Sequence, residues 1–287
     1  MPSIFAERAS ISLYDAQNPK DSKVKIPIPQ ETIGEVEACM VRFKRICNEF
    51  GVPDGNVQIV ATEATRTALN SMEFLHRITA ATGWAVKLLS QEEEATIGSD
   101  GIAASFASVN GLILDLGGGS CQLNWMKSGQ ETLMSKSPVS MPYGAAALTH
   151  RLSKEDAQKL QEEVTEAFKA AYERIQVPDD LKTSGCLHLW ACGGGFRGMG
   201  YYLISKHPVQ PYPIPLINGF TVAAGTFTAT VTTQALHTTQ EEMRSGFRIS
   251  KRRAEQVPAI ALVIDAITRA IPDLKQIHFS QGTLKIS

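Results

Sequence analysis

The stretch GLILDLGGGSCQLNWM, Gly111 to Met126, decides how the rest of the sequence is read. Leu112, Ile113, Leu114 and Leu116 form a short apolar run of the length of a buried strand. Asp115 falls near the end of that run. Three glycines, Gly117, Gly118 and Gly119, and a hydroxyl, Ser120, follow it. Glycines there can take backbone angles that side chains forbid, and they let another group come close to the main chain. Leu123 and Trp125 then resume as a second strand. A strand, a glycine turn and a strand suit both a phosphate and a metal ion: backbone N–H groups for the first, the carboxylate for the second. A tight hairpin would also use Asp and Gly, but three successive glycines cost more backbone entropy than a hairpin requires.

Outward from that motif, the sequence has 287 residues, enough for one large domain or two of medium size. Hydrophobic residues make up 43% and charged residues 20%, and the formal net charge is −1. Such a balance carries no electrostatic footprint for nucleic acid or an anionic membrane, so neither is expected as a partner. Five cysteines, an odd count, show no zinc-finger spacing and fit a reduced compartment. The N-terminus lacks a signal layout, and no run nears the ~20 apolar residues of a membrane helix. The expected location is cytoplasmic.

Along the chain, Ala9–Leu13 reads as a short strand and Thr32–Phe50 as a helix, with an apolar stripe of Ile33, Val36, Met40, Phe43, Cys47 and Phe50. Val57–Ala61 and Val86–Leu89 read as strands. A helix is expected over Glu63–Ala80, and another follows SQEEEATIG. This alternation predicts α/β layering. Ser153–Ile175 is expected to be one long amphipathic helix capped by Ser153. Leu187–Gly200, LHLWACGGGFRGMG, reads as a strand running into a second glycine cluster. Thr221–His237 is expected to be partly helical. A basic turn, SKRRAEQ at 250–256, leads to an apolar helix opened or kinked by Pro258, and QIHFS closes the chain as a strand. The small-residue segment 108–111 marks the expected boundary, giving domains 1–109 and 110–287.

Three further sets of residues carry chemistry. VATEATRTALN places Thr62 and Arg66 at a strand-to-helix junction, where a phosphate-binding arginine and a solvated arginine on a capped surface helix are both open readings. Glu92, Glu93 and Glu94 follow a strand. They suit the first turn of a helix for dipole reasons, or one of them could orient a water while Asp115 binds a metal. The CGGGFRG cluster, Gly193 to Gly195, is not a dinucleotide fingerprint.

In order and spacing, VATEATRTALN, SQEEEATIG, LILDLGGGSCQL, MPYGAAALTHRL, LWACGGGFRGMG and SKRRAEQVPAIALVIDAI resemble the exopolyphosphatase and guanosine-pentaphosphate phosphatase family of the actin and sugar-kinase superfamily. ERASISLYDAQ and FSQG are similar to a fungal, regulatory branch tied to mitochondria-to-nucleus signalling. The resemblance implies an α/β fold of two actin-like (ribonuclease H-like) lobes and hydrolysis of a terminal phosphoanhydride. It implies magnesium as cofactor, polyphosphate or a guanosine polyphosphate as ligand, and signalling proteins as possible partners. By the same resemblance Glu94 is the general base and Asp115 a magnesium ligand. Arg66, Gly117, Gly118, Gly119, Ser120, Gly193, Gly194 and Gly195 bind phosphate. Three departures are visible. The family continues past FSQG with a further Gly-rich turn and helix, where this sequence ends in TLKIS, so truncation at both ends is expected. The family's first strand and its D-x-G-S-N-S loop precede the point where this sequence starts, so an incomplete first lobe and an inactive chain are expected. Gln122 stands where the family usually has Glu, which leaves open a non-catalytic protein that senses a nucleotide or polyphosphate.

Overall fold

A computed structural model describes residues 9–19, 24–182, 186–214, 216–231 and 254–281. The chain forms two compact units, one up to Gln91 and one from Glu92 to Leu284.

In the first unit, α1 (Leu13–Gln17), α2 (Gln30–Glu49), α3 (Glu63–Arg66) and α4 (Ser71–Thr82) accompany the parallel pair β1 (Ile59–Ala61) and β2 (Val86–Leu88). The start of the stripe on α2 does what its spacing predicts, Ile33 packing with Ile28, Phe74 and Ile78 and Val36 and Met40 lying against them; Phe50, just past the helix end, is exposed instead. Two expectations are corrected. Residues 9–12 hold no strand; Ser12 instead caps α1, its hydroxyl accepting from the Asp15 N–H at 3.2 Å. The helix expected over Glu63–Ala80 is broken at Thr67–Asn70. There the Asn70 side chain accepts from the Ile28 N–H at 2.7 Å and donates to the Ile28 carbonyl at 3.0 Å. Local propensity does not foresee a partner 42 residues away.

The second unit is built on a sheet that follows the order β5-β4-β3-β7-β9-β8, with β6 also on β4. The strands are β3 (Asn110–Leu116), β4 (Cys121–Lys127), β5 (Leu133–Met134), β6 (Val139–Met141), β7 (Leu187–Gly193), β8 (Thr221–Ala223) and β9 (Leu274–Phe279). β3, β7 and β9 run parallel, while β4 and β8 are antiparallel to their neighbours. Alternation along β3 sorts its side chains between two faces. Leu112, Leu114 and Leu116 join the large core made with α6 (Ala145–Leu152), α7 (Ala157–Arg174), α9 (Gly194–Ser205) and the last described helix, α11 (Val257–Ala270). Ile113 faces the other way, into a small core with Ile102, Val109, Met126 and Trp190. Ile102 belongs to α5 (Gln91–Ala103), so this helix packs with the second unit. The units therefore divide at Gln91/Glu92, ahead of the boundary expected at 108–111.

The long helix expected from Ser153 is in fact two. Ser153 ends α6, and Asp156 caps α7 by accepting from the Lys159 N–H at 2.9 Å. Two shorter helices, α8 (Asp179–Lys182) and α10 (Ala224–Ala229), belong to the same unit. Pro258 sits in the first turn of α11, as expected. The helical reading beyond residue 231 and the greater part of the basic turn lie outside the described residues.

Candidate functional site

The glycine motif is a turn between β3 and β4, and its two strands pair in register from Asn110↔Lys127 to Leu116↔Cys121. Asp115 stands opposite Gln122 on β4 and beside Cys192 on β7. Being odd-numbered on β3, it shares the face of Ile113, the one covered by α5. Gln122 and Asn124 fall on that face too, opposite Asp115 and Ile113. Glu94, Ala95, Gly98 and Ser99 come down on it from α5, at helical spacing.

Together these residues enclose a cavity of about 10 Å³, the room that one water-sized sphere needs. Its polar lining is ordered. Ser99 Oγ donates to the Ala95 carbonyl at 2.9 Å and accepts from Asn124 Nδ2 at 3.2 Å. Gln122 is buried and donates to Ser120 Oγ at 2.8 Å. Burial pushes the Asp115 carboxyl up to about 6, opposed by a hydrogen bond from Cys192 and by the charge of Arg197. The same burial and the charge of Asp115 push the Cys192 thiol well up and that of Cys121 to about 12.

The glycine turn is clamped from one side. Helix α6 begins against it, and its leading N–H groups donate to the turn's carbonyls: Gly144 to Gly119 at 3.2 Å, Ala145 to Gly117 at 2.9 Å, and Ala146 and Ala147 to Gly118 at 2.9 and 3.1 Å. With the carbonyls so engaged, the N–H groups of Gly118 and Gly119 donate to no described residue. Such groups in a turn form an anion-binding concavity. A side chain at Gly144 would end this packing, since a Cβ there would lie 2.4 Å from Gly118 C and O.

The second glycine cluster emerges at the same end of the sheet, because β3 and β7 are parallel and pair Leu116 with Gly193. Here Gly193, at φ +98°, is the left-handed residue; Gly117, Gly118 and Gly119 are not among the positive-φ glycines. A Cβ on Gly193 would stand 2.2 Å from the Leu116 carbonyl oxygen and 2.9 Å from Asp115 Oδ1. Helix α9 starts immediately, at Gly194.

The structure thus gathers Glu94, Asp115, the 117–120 turn and Gly193–Gly195 in the second unit. Arg66 belongs to the first unit, where it ends α3 and donates to the Leu89 carbonyl at 2.6 Å. Ser99, Asn124, Gly144 and Cys192 were not foreseen. Period-two alternation in SCQLNWM would have flagged Asn124 beside Gln122; nothing local marks Gly144, whose role depends on a turn more than 20 positions away. Among the described residues no three His, Cys, Asp or Glu side chains are grouped to hold a metal. A hard cation with several retained waters needs fewer: one or two carboxylates suffice for magnesium. The fit here rests on Asp115, whose carboxyl lies between Cys192 and the charge of Arg197, with Glu94 lining the same cavity. No described helix is long and apolar enough to cross a membrane.

Residues 1–285 match the model of the Ppx/GppA phosphatase family. Retrograde regulation protein 2 of Saccharomyces cerevisiae is 41% identical over 295 aligned residues, covering 99% of this chain and 50% of that protein. The chain therefore spans half the length of that relative. Among solved structures, an exopolyphosphatase from Cytophaga hutchinsonii aligns with a TM-score of 0.70 at 18% identity, covering 90% of this chain and 81% of the other. The Aquifex aeolicus family member aligns with a TM-score of 0.68 at 20% identity, over 95% and 83%. At such identities the structures speak for the shared α/β fold.

Proposed function

Because this chain belongs to the Ppx/GppA phosphatase family, we propose that it hydrolyses the terminal phosphoanhydride of a phosphate chain, polyphosphate or a guanosine polyphosphate. The observation that carries this reading is the cavity in which Glu94 of α5 and Asp115 of β3 meet over room for one water. The Gly118 and Gly119 N–H groups hold the terminal phosphoryl oxygens beside it. Glu94 takes a proton from the water as its oxygen bonds to the terminal phosphorus, and the bond from that phosphorus to the bridging oxygen breaks. The shortened chain leaves with the bridging oxygen. Asp115, with Glu94 nearby, would hold magnesium, which when bound neutralises charge on the phosphoryl oxygens. Gly193–Gly195 line the same end of the sheet, and Arg66 is a further phosphate ligand in the first unit. The two units correspond to the two actin-like lobes of this family's fold. The biological setting proposed is mitochondrial retrograde signalling with protein partners, by analogy with the yeast relative.

A second reading is favoured by Gln122. A neutral amide stands opposite Asp115 and spends its N–H on Ser120, so the cavity has one carboxylate fewer than the family usually provides. On this reading the site binds the same ligands and does not turn them over. Phosphate release from inorganic polyphosphate with magnesium, measured beside calorimetric binding, separates the two. Turnover that falls ~10²–10⁴-fold in Glu94→Gln, with binding retained, establishes hydrolysis. Saturable binding without release establishes the sensor, and absence of both removes the phosphate-chain reading.

A further inference from the structure

The opposite end of β7 carries a second constellation, roughly 16 Å along the strand from Gly193 at strand rise. Four side chains from three strands and the segment leading into β7 form a hydrogen-bonded chain. Cys186 Sγ lies 3.6 Å from His188 Nε2, His188 Nδ1 lies 2.8 Å from His278 Nε2, and His278 Nδ1 lies 2.8 Å from Thr221 Oγ1. Thr221 Oγ1 in turn donates to the Gly219 carbonyl at 3.2 Å.

With the Thr221 proton assigned to the Gly219 carbonyl, the chain runs in one direction. A hydroxyl has one proton to give, and Thr221 gives it to Gly219. Its oxygen must therefore accept from His278, which puts the His278 proton on Nδ1 and leaves Nε2 bare. His188 then donates through Nδ1, and its own Nε2 is left with a lone pair aimed at the Cys186 thiol. Both rings remain neutral at ordinary pH, because burial lowers the pKa of each and His188 helps bring His278 down to about 4. Trp190 stacks on His278 with centroids 4.5 Å apart and holds the pair in plane. A nucleophile, a base within reach and a third group orienting the base is the arrangement that activates a thiol.

The other cysteines lack it. Cys47, Cys121 and Cys192 are buried, and the latter two have thiols pushed up by burial. Cys39 is half-exposed and has Arg42 Nη2 at 4.0 Å, a cation and not a base.

We propose that Cys186 is a reactive thiol that undergoes exchange with small-molecule disulfides, with His188 as its base. The Cys186 sulfur attacks one sulfur of the disulfide, its proton passes to His188 Nε2, and the S–S bond breaks. The departing thiolate then recovers that proton, so one mixed disulfide and one thiol form with no further oxidant. This site is independent of the phosphate reading.

The probe is 5,5′-dithiobis(2-nitrobenzoate), with release of its thiolate followed by absorbance and the labelled cysteines mapped by mass spectrometry. Cys186 should label first, ~10-fold or more ahead of Cys39. His188→Gln should slow Cys186 by a similar factor, the low side of what a positioned base supplies, and leave Cys39 unchanged. Should His188→Gln disturb the strand, visible as labelling of buried Cys121 and Cys192, Thr221→Val decides, since it releases the far end of the chain from an exposed position and must slow Cys186 in the same direction. Labelling of Cys39 ahead of Cys186, or an unchanged Cys186 rate in the folded variants, overturns the proposal.

Discussion

The two glycine clusters look alike in sequence and are built for different reasons. At 117–119 the backbone avoids the left-handed region, and glycine is there for close approach: the start of α6 lies on the turn and binds its carbonyls. Gly144, which makes that approach, has φ −70° and ψ 159°, angles open to any residue; only packing excludes a side chain. At Gly193 both constraints act at once, φ +98° and a neighbouring carbonyl oxygen 2.2 Å from where a Cβ would sit. Asp115 is held between the two turns, one residue before Leu116 and with Oδ1 against Gly193. A glycine run is thus evidence that the main chain is approached closely; which atom approaches must come from tertiary structure.

This difference sets the order of mutational effects. Gly193→Ala must relieve backbone strain and a backbone clash together, and should cost roughly 4 kcal/mol or more, beyond the usual range for single substitutions. Urea unfolding at equilibrium measures it, as a midpoint shift at unchanged slope. Gly144→Ala meets only a clash and should cost ~1–3 kcal/mol, as overpacking does. It should also displace the 117–119 turn, so calorimetric binding of inorganic polyphosphate weakens in a chain that still unfolds cooperatively. Equal costs at the two positions would erase the distinction between them.

Much of the second unit was legible because its sheet is regular. Once β3 and β4 are placed, alternation puts Asp115 on one face and Leu114 and Leu116 on the other. Glu94 could be singled out from its neighbouring glutamates only by resemblance, since no local rule says which of them α5 turns toward that face. Sequence also left Arg66 open between ligand and surface group; its bond to the Leu89 carbonyl is a contact made by folding of the first unit. The helix ends went astray where caps competed. Ser153 and Asp156 are both good caps, and the selection of Asp156 follows from α6 ending at Leu152. The His188–His278 pair joins residues 90 apart, and scattered histidines give no sign of it.

The most direct test of the site uses Asp115 alone. Its carboxyl is raised from 3.8 to about 6, so the folded state disfavours the charged form. Above pH 6 that ionised group costs stability, and the cost fades as pH falls through 6 toward 4. A shift of about two units corresponds to at most ~3 kcal/mol at pH 7.5. An aspartate kept for packing would not carry such a cost; one kept for a cation would. The measurement is the melting temperature of wild type and Asp115→Asn at pH 7.5, each with and without magnesium. Without the ion the variant should melt several degrees higher, at roughly 2–4 °C per kcal/mol; magnesium should raise the wild type and leave the variant unchanged. A variant that melts lower without magnesium, with no difference between the two in their response to the ion, would contradict the assignment of Asp115 as a cation ligand.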